Sequence, residues 1–153
     1  MAHDLDAIRA LLEQQRQGVL ATLSVRHAGW PFTSLAPFAL GPGGEPLLAL
    51  SDLAEHTRNL RADARASLFV HDGSGQAGAR LTLLGQLAAV PAGAATSAAR
   101  ERYVARHPAS ASYFAELADF HLYRLEVTAA RFIAGFGDMG WLDGAALVRG
   151  PSS

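Results

Sequence analysis

Gly18-Val19-Leu20-Ala21-Thr22-Leu23-Ser24-Val25, then Arg26-His27-Ala28-Gly29, then the run from Trp30 to Leu40, is the stretch on which the fold turns. An alternating apolar run, a four-residue turn and a second extended run predict an antiparallel hairpin. Val19, Ala21, Leu23 and Val25 share one face of the first strand. Pro31 and Pro37 interrupt the second run, because proline donates no ladder hydrogen bond; that predicts an irregular or edge strand.

Outward from this hairpin the pattern repeats. Leu5, Ile8, Leu11 and Leu12 have helical spacing and predict a helix over 4–16, with Asp4 as its N-cap. Gly41-Pro42-Gly43-Gly44-Glu45 is a turn, and 46–51 a third strand. Further strands are expected over 66–72, 80–90, 119–127 and 131–136, with helices over 53–62, 94–106 and from 108 to 117. Short strands joined by tight turns, with helices inserted, predict a mainly β, α+β fold: a small barrel with peripheral helices. Hairpins dominate, which argues against a doubly wound parallel sheet. The whole chain, 1–153, reads as one domain, with a core of about 5–142 and a loose tail over 143–153.

Composition narrows the chemistry. The net charge is −1, unlike the basic balance of a nucleic-acid module. No apolar run reaches the roughly 18 residues of a membrane span. Asp4, Asp6, Arg9 and Glu13 interrupt any signal-peptide pattern, so a cytoplasmic location is expected. There is no cysteine, which excludes thiol catalysis and thiolate metal sites. All 13 cationic Lys/Arg side chains are Arg, which excludes a lysine Schiff base and a P-loop lysine. An anion here must be held by Arg, His, hydroxyls or backbone.

Ser51-Asp52-Leu53-Ala54-Glu55-His56-Thr57-Arg58-Asn59-Leu60 is the leading candidate for such a site. It follows a strand and opens a helix. Ser51 or Asp52 is placed to cap that helix, and Glu55, three residues after Asp52, completes a capping box. The unpaired amides of a first turn attract anions, and Ser51, His56, Thr57, Arg58 and Asn59 add polar groups. The competing reading is an ordinary capped surface helix. Gly135, Gly137 and Gly140 mimic a dinucleotide fingerprint, but no helix opens after them.

Several segments, in order, resemble a known family: Gly29-Trp30-Pro31-Phe32-Thr33-Ser34-Leu35-Ala36-Pro37-Phe38, the 51–60 stretch, Ala66-Ser67-Leu68-Phe69 and Arg80-Leu81-Thr82-Leu83-Leu84-Gly85. Tyr103 with His107-Pro108, Phe120-His121-Leu122-Tyr123-Arg124-Leu125 and Arg131-Phe132-Ile133-Ala134-Gly135-Phe136-Gly137 complete the series. Together they resemble the FMN-binding split-barrel superfamily, and within it the pyridoxamine 5′-phosphate oxidase-related proteins near the haem-utilisation branch.

The resemblance implies a six-stranded split β-barrel and a homodimer with FMN at the subunit interface. It further implies an FMN-dependent oxidoreductase acting on a small-molecule substrate. By the same resemblance Thr33 and Ser34 face the isoalloxazine, and Ser51 lies near the ribityl chain or phosphate. His56, Thr57 and Asn59 lie near the phosphate, Arg80 grips it, and Trp141 approaches from the partner chain. Each has a plainer alternative: strand or capping residue, solvated arginine, interface tryptophan. No residue is forced into a general acid or base role, and no metal site is expected.

The chain departs from the true oxidases in having no lysine and no C-terminal Arg-x-His motif. The alternative cofactor is haem on the same scaffold. No histidine follows Trp141, so an iron ligand would have to be internal, with His71, His107 and His121 as candidates. A cofactor-free binding module is the third possibility. Phe132, Ile133, Phe136 and Trp141 are expected to form an apolar patch that promotes dimerisation.

Overall fold

The structure, a computed structural model, describes residues 2–135 and 137–148. In chain order the elements are α1 (Ala2–Gln14), β1 (Gln17–Leu23), β2 (Pro31–Pro37), β3 (Ala39–Leu40), β4 (Pro46–Ser51), α2 (Glu55–Ala62), β5 (Arg65–His71), β6 (Arg80–Ala89), α3 (Ala94–Arg106), α4 (Ala111–Glu116), β7 (Phe120–Gly135) and β8 (Asp138–Asp143). Asp4 lies inside the first turn of α1 and is not its N-cap.

The strands form one antiparallel sheet in the order β2-β1-β5-β6-β7-β4-β3, with β8 beside β7. Its two ends, β2 and β3, are separated in sequence by Phe38 alone. One continuous segment therefore serves both ends and curls the sheet on itself as a split barrel. The break falls after Pro37, which has no N–H for the ladder. Phe38 is fully buried at the corner, and its amide donates to the Arg16 carbonyl at 3.0 Å.

There are eight strands rather than six. The Trp30–Leu40 run divides at Phe38, β8 is added, and the two strands expected over 119–136 are one, β7. Thr128 supplies the irregularity that made them look separate: Leu84 pairs with Ala129 and Gly85 with Val127, so the strand bulges between. Gly85 is required there, because a Cβ would stand 2.2 Å from the Glu126 carbonyl oxygen.

The core lies within the curl. Leu20, Leu68, Leu81, Leu83 and Leu125 point inward, and Ile8, Leu11 and Leu12 of α1 cover them. Burying each such side chain contributes about 1.5–3 kcal/mol. The apolar alternation of β1 belongs to the other face. Gly18, Leu20 and Thr22 are inside, whereas Val19, Ala21 and Leu23 face outward, and Val25 is exposed in the turn. Phe132 likewise sits in the core and adds nothing to a surface patch. Phe136 lies outside the described residues. The segment from Asp143, read as a tail, makes a 3-10 turn at Gly144–Ala146 and seats Leu147 in the core. Residues 149–153 lie outside the described residues.

Candidate functional site

The entry to α2 departs from a capping box. Ala54 is the N-cap, with no side-chain cap. The Ser51 hydroxyl donates to Asp119 Oδ2 at 2.7 Å and accepts from the Leu53 amide at 3.2 Å. Asp52 is held elsewhere: Oδ1 takes Arg61 Nη2 at 2.5 Å, and Oδ2 lies 3.1 Å from His121 Nε2. Bonded to Arg61 and His121, the Asp52 carboxylate is not available to cap α2. Asp119 and His121 are thus parts of this region that local spacing does not reveal, because both arrive from β7 and the loop before it.

Two of the expected ligand contacts are inside the protomer. Asn59 is fully buried; Oδ1 accepts from the Val25 amide at 3.0 Å, and Nδ2 donates to Thr22 Oγ1 at 3.1 Å. Its amide pins α2 to the end of the first hairpin. Thr57 is also fully buried, and its Oγ1 has no hydrogen-bond partner. Their side chains are turned away from any surface a ligand reaches.

His56 and Ser34 are brought together. Ser34 Oγ lies 3.3 Å from His56 Nδ1, joining α2 to edge strand β2. His56 is half-buried, and desolvation holds its imidazole pKa below 6.5, favouring the neutral ring. Thr33, next to Ser34, points to the opposite face of β2 and is exposed.

The ladder register defines that opposite face. Leu35, Val19, Phe69, Thr82, Arg131 and Trp141 lie in one row across β2, β1, β5, β6, β7 and β8. Thr33 is in the row on one side; Arg80, paired with His71 and Ile133, is in the row on the other. Thr33, Arg80 and Trp141 therefore share the outward face of the sheet. Leu35 (66% exposed), Trp141 (59%) and Met139 (54%) make it apolar and open. Arg131 stands over the Trp141 ring, 5.7 Å from its centroid. Arg80 Nε is buried without a partner, and its Nη2 makes one long bond to the Gln76 carbonyl at 3.4 Å.

Thr33 and Trp141 are five strands apart. At about 4.8 Å per strand this is roughly 24 Å along the sheet. Arg80 is also displaced from Thr33 by three strands. A single protomer does not gather these groups around one small molecule.

The other histidines have separate duties. His107 Nε2 meets the Phe38 carbonyl at 2.7 Å, and its ring leans on Tyr103. His121 pairs with Asp52. His71 is exposed beside Arg80, but its Nδ1 accepts from the Gly73 amide at 3.0 Å, which places the ring proton on Nε2. Among the described residues no group of three or more His, Asp or Glu could hold a metal ion.

A family profile described as CREG, beta-barrel, matches residues 5–147. The chain belongs to the CREG β-barrel family. Its split-barrel fold is shared with a protein of the pyridoxine phosphate oxidase family. This CREG-family barrel is 33% identical over 132 residues to the chloroplastic non-canonical haem oxygenase HOZ of Arabidopsis thaliana, covering 86% of this chain and 40% of that protein. A haem-binding protein from Mycobacterium smegmatis has 33% identity and a TM-score of 0.84, over 94% of this chain and 59% of the other. The chain thus spans less than two-thirds of either relative. A protein from Clostridium acetobutylicum related to general stress protein 26, of the pyridoxine phosphate oxidase family, shares the fold at a TM-score of 0.74. It has 13% identity, over 96% of this chain and 99% of that one. No described helix is long and apolar enough to cross a membrane.

Proposed function

We propose that this chain is a haem-handling protein on a split-barrel scaffold, with FMN as the second reading. The observation that carries it is His56. A half-buried imidazole kept neutral by desolvation and steadied by Ser34 has the protonation state an iron ligand needs. With Nδ1–H given to the Ser34 hydroxyl, Nε2 keeps its lone pair. His71, His107 and His121 each have a competing partner. The two relatives at 33% identity are a non-canonical haem oxygenase and a haem-binding protein, which supports the same direction.

The residues fit the group. On the other side of edge strand β2 from Ser34 and His56, the outward face supplies apolar surface at Leu35, Val19 and Trp141, and Arg80 supplies an incompletely bonded guanidinium suited to a propionate or a phosphate. For FMN the fit is poorer at α2, where Glu55 occupies the first turn and opposes a phosphate dianion. Haem would bring a redox-active iron. The chain's own part is to bind it, orient it and exclude water.

A homodimer belongs to this reading. Two copies docking by their outward faces about a two-fold axis would bring Arg80 and Trp141 of one protomer towards Thr33 on edge strand β2 of the other, which the 24 Å spread within one protomer (roughly, by strand spacing) does not permit. Light scattering should give twice the 16.1 kDa chain mass, and Leu84→Glu, on the same face, should yield a monomer.

The decisive experiment is a titration of the purified protein with haemin and, separately, FMN. A saturable Soret band that is shifted or lost in His56→Ala supports the haem reading. Quenched flavin fluorescence with no saturable Soret change restores the FMN reading. Neither signal leaves a cofactor-free module.

A further inference from the structure

A second cleft, of about 520 Å³, lies between α3 and the start of β7, away from the outward sheet face. Its wall carries Arg61 from α2, Arg100 from α3 and His121 from β7, and no carboxylate residue lines it. Asp52 stands behind this wall, accepting from Arg61 and meeting His121, so it fixes two of the three groups in place.

Arg100 is differently held. Its guanidinium carbon sits 5.0 Å from the centroid of the Phe114 ring, and no described carboxylate pairs with it. A guanidinium over an aromatic face keeps its N–H groups available in their own plane. The first turn of the 13-residue helix α3 opens on the same cleft at Gly93 and Thr96. The loop before α3 is braced, since Thr96 Oγ1 donates to the Pro91 carbonyl at 2.5 Å and Ser97 Oγ to the Gly93 carbonyl at 3.2 Å. Two arginines and a histidine on three elements, Arg100 lacking a carboxylate partner among the described residues, thus converge on a cavity beside the first turn of α3.

We propose that this cleft binds a small polyanion, a phosphorylated or polycarboxylate metabolite, independently of the haem site. The cavity is larger than a lone phosphate needs and falls within the range of small-molecule sites.

Isothermal titration of the full chain with inorganic pyrophosphate, and separately with citrate, tests this. Saturable binding is expected for at least one. Arg100→Ala should weaken it by about tenfold or more, and Ser97→Asp, at an exposed position on the same rim, should abolish it, with circular dichroism unchanged in both. Preference for pyrophosphate assigns a phosphate ligand, and preference for citrate a polycarboxylate. Arg80→Ala should leave binding intact. Loss in Arg80→Ala but not in Arg100→Ala would place the anion on the outward sheet face and overturn the proposal. So would no saturable binding of either probe, or equal affinity in wild type and Arg100→Ala. Haemin titration of Arg100→Ala should match wild type, which separates failure here from failure of the haem reading.

Discussion

Two polar contacts tie α2 to the first hairpin, and they differ in what they leave unfinished. Asn59 is sealed: both ends of its amide are bonded, to Val25 and Thr22, with no exposure. His56, one turn away, meets Ser34 at 3.3 Å at a half-buried edge and keeps one ring nitrogen unassigned. A closed network holds a fold, because every buried polar group is satisfied. An open one has capacity left for a ligand. The two faces of the sheet repeat the contrast: leucines fill the inside, while the outside keeps exposed Trp141 and Leu35 and a partnerless Arg80 Nε.

The largest expected effect breaks the closed side. Asn59→Ala strands the Val25 amide and the Thr22 hydroxyl and opens a cavity, so it should cost about 2–4 kcal/mol in urea unfolding. A loss under about 1 kcal/mol, no more than one ordinary hydrogen bond contributes, would mean the network is not structural. On the open side, Arg80→Ala should weaken haem or FMN binding by about 1.5–3 kcal/mol while leaving the unfolding midpoint nearly unchanged. The reverse pattern would make Arg80 a structural residue and dissolve the contrast.

Acid sharpens the comparison further. The His56 pKa is lowered in the folded state, so the unfolded chain binds the proton first. Stability is therefore full above about 6.5, the unfolded value, and declines as pH falls below it. His56→Gln should flatten that decline in a pH series of thermal melts; an unchanged slope would assign the acid sensitivity to other groups. The smallest effect is expected at Thr57, whose buried hydroxyl has no partner. Thr57→Val keeps the shape and removes the desolvated group, so stability should stay within about 0.5 kcal/mol or rise.

The contrast also explains what could be read early. The hairpin at 18–40, the turn at 41–45 and the strands at 46–51 and 80–89 were legible because alternation and Gly/Pro punctuation are local signals. The inside of β1 was not. Its polar Thr22 lies on the buried face because Asn59, 37 residues later, satisfies it. Nor was the unity of β7, since a bulge at Thr128 disrupts the period without ending the strand. At the site, His56 and Ser34 were both visible as candidates, but their separation by 22 residues hid their contact. The Asp52–His121 pair, 69 residues apart, carried no local signal.

The sequence alone determined the fold class, the absence of thiol and lysine chemistry, and the family resemblance, because these follow from composition and from the order of short motifs. The tertiary structure decided which polar residues are sealed and which are left open. That choice depends on burial and on partners brought in from distant strands, and neither is encoded in the spacing of neighbouring residues.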